Sequence, residues 1–225
     1  MSLSSARRPV RSVAPGRPLR PGRVWYASYG SNMDPARLRY YLSGGRPPGA
    51  GRTFPGSRDR TPPRKSVPVE LAGALYFATE SPVWTGGRAF YDPQAPGTVR
   101  ACAHLVTAQQ FGDIAAQEMY EPPGAGLDLA VVLSEGRHVL GPGRYETLVC
   151  PGYLEDVPVL TFTAPWPLSA VRHTRPSTAY LRHLAAGLRT AGAWDDRTIA
   201  SYLSRAPGAA GNWTVEQITA LFPEG

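Results

Sequence analysis

Tyr26-Ala27-Ser28-Tyr29-Gly30-Ser31-Asn32-Met33 is the stretch on which the reading of this chain turns. Val24-Trp25-Tyr26-Ala27-Ser28 is a short apolar run of the length of one buried strand. Tyr29-Gly30-Ser31-Asn32 follows as a loop. Asp34-Pro35 then opens a helix through Leu42, with Asp as N-cap and Pro at the first helical position. Glycine in such a turn permits close backbone approach, and the start of the helix leaves unpaired N–H groups. A turn of this kind can hold a carboxylate or the oxygen of a polarised amide. An ordinary glycine turn has the same sequence, so the chemistry must be sought in what the rest of the chain brings to it.

Working outward, residues 43–68 are rich in Gly, Pro and Arg and read as a long loop, a length that in compact domains often marks a binding element. Residues 69–78 read as one strand. Trp84 to Phe90 contains a glycine turn, Gly86-Gly87, that leads into another strand. Residues 98–106 form a further strand. Thr107 with Gln110 has the capping-box spacing, so a helix runs from there to about Tyr120 and stops before Pro122-Pro123. Strands are expected near 127–133, 144–149 and 157–163. Ser177 caps a helix with the apolar stripe Leu181, Leu184, Ala185 and Leu188, and shorter helices follow around 195–205 and 214–222. Strands and helices are mixed without a regular βαβα alternation, which predicts an α+β fold rather than a doubly wound sheet.

Composition excludes several classes. The apolar fraction of 42% is too high for a wholly disordered chain. No apolar run reaches the roughly 18 residues of a membrane span, and residues 1–23 lack the apolar core of a secretory leader. The net charge of +7 is concentrated: residues 1–23 hold six arginines and no acid, which leaves +1 for the rest. That segment reads as a disordered basic tail with at most weak, non-specific contact to nucleic acid, attached to a single domain over residues 24–225. Cys102 and Cys150 cannot make a disulfide framework or a four-cysteine zinc site, and a reducing cytoplasm is the simplest compartment. His104, His138, His173 and His183 stand singly, without metal-ligand spacing, so no metal or cofactor is expected. Neither a G-x-S-x-G elbow nor a phosphate-binding glycine loop is present.

Glu118 is the informative residue. On the helix opened by Thr107 the apolar positions are Phe111, Ile114 and Ala115, and steps of three and four put Glu118 on that face. A carboxylate there is costly unless paired or functional, and burial would raise its pKa toward the range of a general base that must later return a proton. A frayed helix end with Glu118 in water is the competing reading, and Glu121, beside Pro122, is an alternative acid. Tyr180 lies on the apolar side of the helix capped by Ser177, where a core aromatic with a satisfied hydroxyl is the commoner case.

Together these pieces resemble the gamma-glutamyl cyclotransferase-like superfamily, in a divergent, actinobacterial-type form. The resemblance rests on Tyr26 to Met33, close to a Y-x-x-YGSN signature; on Gly86-Gly87-Arg88-Ala89, similar to a second glycine turn; on Ala115-Ala116-Gln117-Glu118, where the catalytic glutamate stands; and on Pro176 to Leu181, with its pocket tyrosine. Ala115 and Met119 depart from the Asp-x-x-Glu-Gly pattern around the glutamate, which bears on the substrate more than on the fold. The resemblance implies a small mixed β-barrel with flanking helices. It implies Glu118 as general acid and base, and Tyr29, Gly30, Ser31, Asn32, Met33, Gly87 and Tyr180 around a gamma-glutamyl amine or peptide whose own α-amine closes the ring to 5-oxoproline. The amides of Gly30, Ser31 and Asn32 would then stabilise the oxyanion or grip the α-carboxylate. Transfer or cleavage of a different acyl amide on the same fold, and a non-catalytic binding module, are the rival expectations. The sequence does not fix the oligomeric state.

Overall fold

The computed structural model describes residues 8–10, 21–47, 52–124 and 126–222. The elements run β1 (Arg8–Pro9), β2 (Arg23–Ser28), a 3-10 turn (Ser31–Met33), α1 (Pro35–Ser43), β3 (Ser66–Ala72), β4 (Ala74–Ser81), β5 (Gly86–Asp92) and β6 (Thr98–Thr107). They continue with α2 (Ala108–Glu118), α3 (Ala130–Glu135), β7 (Arg137–Val139), β8 (Thr147–Leu154), β9 (Val157–Thr163), α4 (Thr178–Ala191), α5 (Asp196–Arg205) and α6 (Val215–Thr219).

The main sheet has the order β1-β3-β6-β2-β9-β8-β7. β2 sits in its middle, antiparallel to β6 from Arg23 opposite Thr107 to Ser28 opposite Cys102, and parallel to β9 at Trp25–Val159 and Tyr26–Leu160. Both faces of β2 are covered, which is why it reads as an apolar run rather than an alternation. Alternate side chains separate two cores. Trp25 and Ala27 pack with Leu181, Leu184 and Leu188 of α4 and Ile199 and Leu203 of α5. Val24 and Tyr26 pack with Leu38 and Leu42 of α1 and Phe111 and Ile114 of α2.

The fold class is the expected α+β, but the sheet is not closed into a barrel. β4 and β5 pair as a separate two-stranded sheet, and β1 and β7 are edges of the larger one. Gly73 causes the split. It divides the expected strand over 69–78 at φ +124°, and a Cβ there would lie 2.4 Å from the Asp92 carbonyl oxygen, so the chain bends where no L side chain fits.

Other expectations change locally. Residues 127–133 do not form a strand. The Asp128 carboxylate accepts from the Ala130 N–H at 2.9 Å, α3 starts there, and Gly136 ends it in the left-handed conformation. The strand expected over 144–149 begins at Thr147 and runs on to Leu154. Within the basic tail, Arg8–Pro9 pairs in parallel with Val69–Glu70, and β2 starts at Arg23; residues 1–7 and 11–20 lie outside the described residues. Among the described residues no helix is long and apolar enough to cross a membrane.

The described part of the 43–68 loop is bound to the body. Gly45 and Phe54 bridge to each other, Ser57 donates from N to the Leu42 carbonyl at 2.8 Å, and Arg58 pairs with the buried Asp113 of α2 at 2.9 Å. Gln110, whose side chain closes the capping box, also donates to the Thr61 carbonyl at 2.8 Å. These contacts hold Arg52 and Phe54 against the ends of α1 and α2.

Candidate functional site

A cavity of 590 Å³ opens where the C-terminal end of β2, the 3-10 turn, α1, the end of α2, the β4–β5 hairpin and the start of α4 converge. That is the size of a small-ligand site. Glu118, Tyr29, Gly30, Ser31, Asn32 and Tyr180 all line it. Two other expected contacts do not. Met33 is buried against α4, where a Cβ on Gly187 would come within 2.8 Å of the Met33 Cβ. Gly87 is a packing glycine, whose missing Cβ would lie 2.1 Å from the Thr174 carbonyl oxygen. Its N–H donates to the Arg175 carbonyl at 2.8 Å, and Arg88 and Ala89 reach the cavity in its place.

Glu118 is the last residue of α2, partly buried, with its accessible side on the cavity. Asn32 Nδ2 donates to Glu118 Oε1 at 3.1 Å and to the Tyr26 hydroxyl oxygen at 3.3 Å, so the YGSN turn and the acid touch. Tyr41 hydrogen-bonds the same carboxylate. Burial pushes the Glu118 pKa up, against the opposing pull of the Tyr41 hydroxyl, Arg37, Asn32 and Arg52. Its position at the negative end of a helix acts in the same direction as burial. Glu121 is exposed beyond the helix end.

The turn itself is propped from below. His104 is fully buried; its Nε2 meets the Asn32 carbonyl oxygen at 3.1 Å and its Nδ1 meets the Ser66 hydroxyl at 2.8 Å. A carbonyl only accepts, so Nε2 carries the proton and Nδ1 accepts from Ser66. Burial pushes the His104 pKa down to about 4, so the neutral ring is the working form. Ser31 is held from the side, its hydroxyl accepting from Arg37 Nε at 3.0 Å. Among the described residues no protein acceptor takes the N–H of Gly30, Ser31 or Asn32. Gly30 has φ −113°, which any residue adopts; what its missing Cβ leaves is room beside the Tyr180 hydroxyl, 3.5 Å away. That hydroxyl accepts from the Ala89 N–H at 3.2 Å, and burial pushes its pKa up to about 12.

Three guanidinium groups complete the wall. Arg37 lies over the Trp84 ring at 5.1 Å, and Arg52 over Phe54 at 5.0 Å and Tyr120 at 4.6 Å. Arg88, on β5, is buried and donates to the Glu80 carbonyl. The β4 register shifts between Ala78 and Glu80, and this bulge brings that carbonyl to Arg88. Tyr41 and Arg37 were within reach of the sequence, since they share one face of α1 with Leu38. Arg52 and Arg88 carry no periodic signal. Among the described residues no three His, Cys, Asp or Glu side chains come together as a metal site.

No protein-family model matches the chain. Over 203 residues, 81% of this chain, it is 33% identical to histone deacetylase 5 of Arabidopsis thaliana, and it spans 30% of the length of that relative. Among solved structures, the human uncharacterized protein loc79017 matches 89% of this chain and 99% of its own, at TM-score 0.50 and 16% identity. A gamma-glutamyl cyclotransferase matches 88% of this chain and 98% of its own, at TM-score 0.47 and 17% identity. At 16% identity the likeness to loc79017 is one of fold, and it agrees with the α+β architecture.

Proposed function

We propose that this cavity is the active site of a gamma-glutamyl cyclotransferase-like enzyme that releases 5-oxoproline from a gamma-glutamyl amine or peptide. The observation that carries the reading is the Asn32–Glu118 contact: a carboxylate whose ionisation is disfavoured by burial, hydrogen-bonded to the glycine turn, beside open space. Glu118 takes a proton from the substrate's α-ammonium. The freed amine attacks the γ-carbonyl carbon, a carbon–nitrogen bond forms within the substrate, and the original amide bond breaks as Glu118 returns its proton to the departing amine, which also takes the second proton of the ring nitrogen and leaves as an ammonium. Ring closure is intramolecular, so the protein's task is to fold the substrate into attack geometry. Asn32 Oδ1, buried and without a protein partner, is an acceptor for the ammonium beside Glu118. Two unpaired cysteines, Cys102 buried and Cys150 partly so, suit a reducing compartment.

The test is a panel of gamma-glutamyl amines and peptides assayed for 5-oxoproline by mass spectrometry. Wild type forms it from at least one member, and Glu118→Gln lowers the rate by about 10²- to 10⁴-fold, the usual yield of a positioned acid–base. Equal rates for the two proteins across the panel refute the reading.

A further inference from the structure

Three residues that line this cavity each carry a buried polar atom that the protein leaves unmatched: Asn32 Oδ1, Arg88 Nε and Thr161 Oγ1. Arg88 is the most demanding of them. Its exposure is 7%, and among the described residues no carboxylate pairs with it. A guanidinium group cannot shed its proton, and a buried charge without a counter-charge is costly. The counter-charge that this wall lacks is an anion. Glu118 does not supply it, because its own hydrogen bonds go to Asn32 and Tyr41 and its cationic neighbours are Arg37 and Arg52.

The two groups nevertheless share one space: Glu118 and Arg88 line the same cavity, together with Tyr145 and Tyr180. Two acceptor side chains, Glu118 and Asn32, and an unmatched cation, Arg88, with Thr161, therefore belong to the lining of one cavity. That pattern is complementary to a ligand that carries both an ammonium and a carboxylate.

We propose that Arg88 binds the carboxylate of an α-amino-acid head whose ammonium sits at Glu118 and Asn32. This rests on the reading of the cavity given above and decides a point left open by it. With the α-carboxylate on Arg88, the unpaired N–H groups of Gly30, Ser31 and Asn32 are left for the γ-carbonyl oxygen, where charge develops during ring closure. Arg88 is then a substrate-binding residue on the β4–β5 hairpin, held by its hydrogen bond to the Glu80 carbonyl.

The experiment is calorimetric titration with L-glutamine and with L-glutaminamide, which keeps the ammonium and the side-chain amide but lacks the carboxylate charge. Wild type binds glutamine about 10- to 100-fold more tightly, the span of hydrogen bonds to charged groups. Arg88→Gln brings the ratio to about one, and Arg88→Lys keeps part of it. The wild-type comparison needs no variant to fold. Equal affinity of wild type for the two probes, or the same preference in a folded Arg88→Gln, overturns the proposal. Failure of the cyclotransfer reading looks different: an Arg88-dependent preference for glutamine, with no 5-oxoproline from any gamma-glutamyl amide, removes the reaction and keeps the carboxylate site.

Discussion

Acid should unlock the prop beneath the YGSN turn before it unfolds anything else, and His104 sets the size of the effect. In the unfolded chain its ring titrates near 6.5; in the fold burial holds it at about 4. A depressed histidine contributes stability that is complete above the unfolded value and is lost as pH falls through the folded one. The window therefore runs from about pH 6.5 down to about 4, and the gap at about 1.4 kcal/mol per unit comes to about 3 kcal/mol. Denaturant titrations at pH 7 and pH 4 on wild type and His104→Gln measure it. Gln can still donate to the Asn32 carbonyl and does not titrate. Carboxylates titrate in both proteins and cancel in the difference. Wild type should lose about 3 kcal/mol more than the variant between the two pH values. A difference below about 1 kcal/mol refutes the reasoning. So does an NMR titration in which the His104 ring of the folded protein changes near 6.5.

Glu118 has the opposite sign. Its pKa is raised, so the ionised form is the burdened one, and Glu118→Gln should gain melting temperature over wild type as pH rises through the folded pKa, with no gain in acid; a pH-independent offset would refute this. Wild-type activity should fall on the acid side at a pH above the ordinary carboxylate range. Gly87→Ala forces a Cβ against the Thr174 carbonyl and should cost about 1–3 kcal/mol in urea unfolding. Gly30→Ala meets only ordinary contact and should fold as wild type while weakening ligand binding; equal losses of stability at the two glycines would contradict the geometry. Arg58→Ala leaves the buried Asp113 without its cation. It should speed limited proteolysis within residues 44–65 and raise KM more than it lowers kcat, and unchanged proteolysis would show that the pair does not fix the loop.

What the sequence disclosed was what lies within one turn of itself. Thr107 with Gln110 and Thr214 with Gln217 form complete capping boxes, because every atom involved sits within four residues. The strand, turn and helix at Val24 to Leu42 were legible for the same reason. Gly73 was missed because alternation continues across it and only its backbone angle breaks the strand. The 127–133 run is apolar enough for either element, and Asp128 and Gly136 settled it as a helix. In the site, a solitary histidine was legible as a satisfied one, but its partner, the Asn32 carbonyl, is 72 residues away in sequence. Arg88 reads like any other arginine, since its significance is the absence of an acid that only the folded neighbourhood reveals.

The placement of β2 also sets a timetable for biosynthesis. Trp25 and Tyr26 leave the ribosome well before their parallel neighbours, Val159 and Leu160. At about 5–20 residues per second the nascent strand waits roughly 7–27 seconds for that partner. For that time an apolar hydrogen-bonding edge is open to any passing chain, which makes the interval a point of need for a holding chaperone and a point of failure in rapid overexpression.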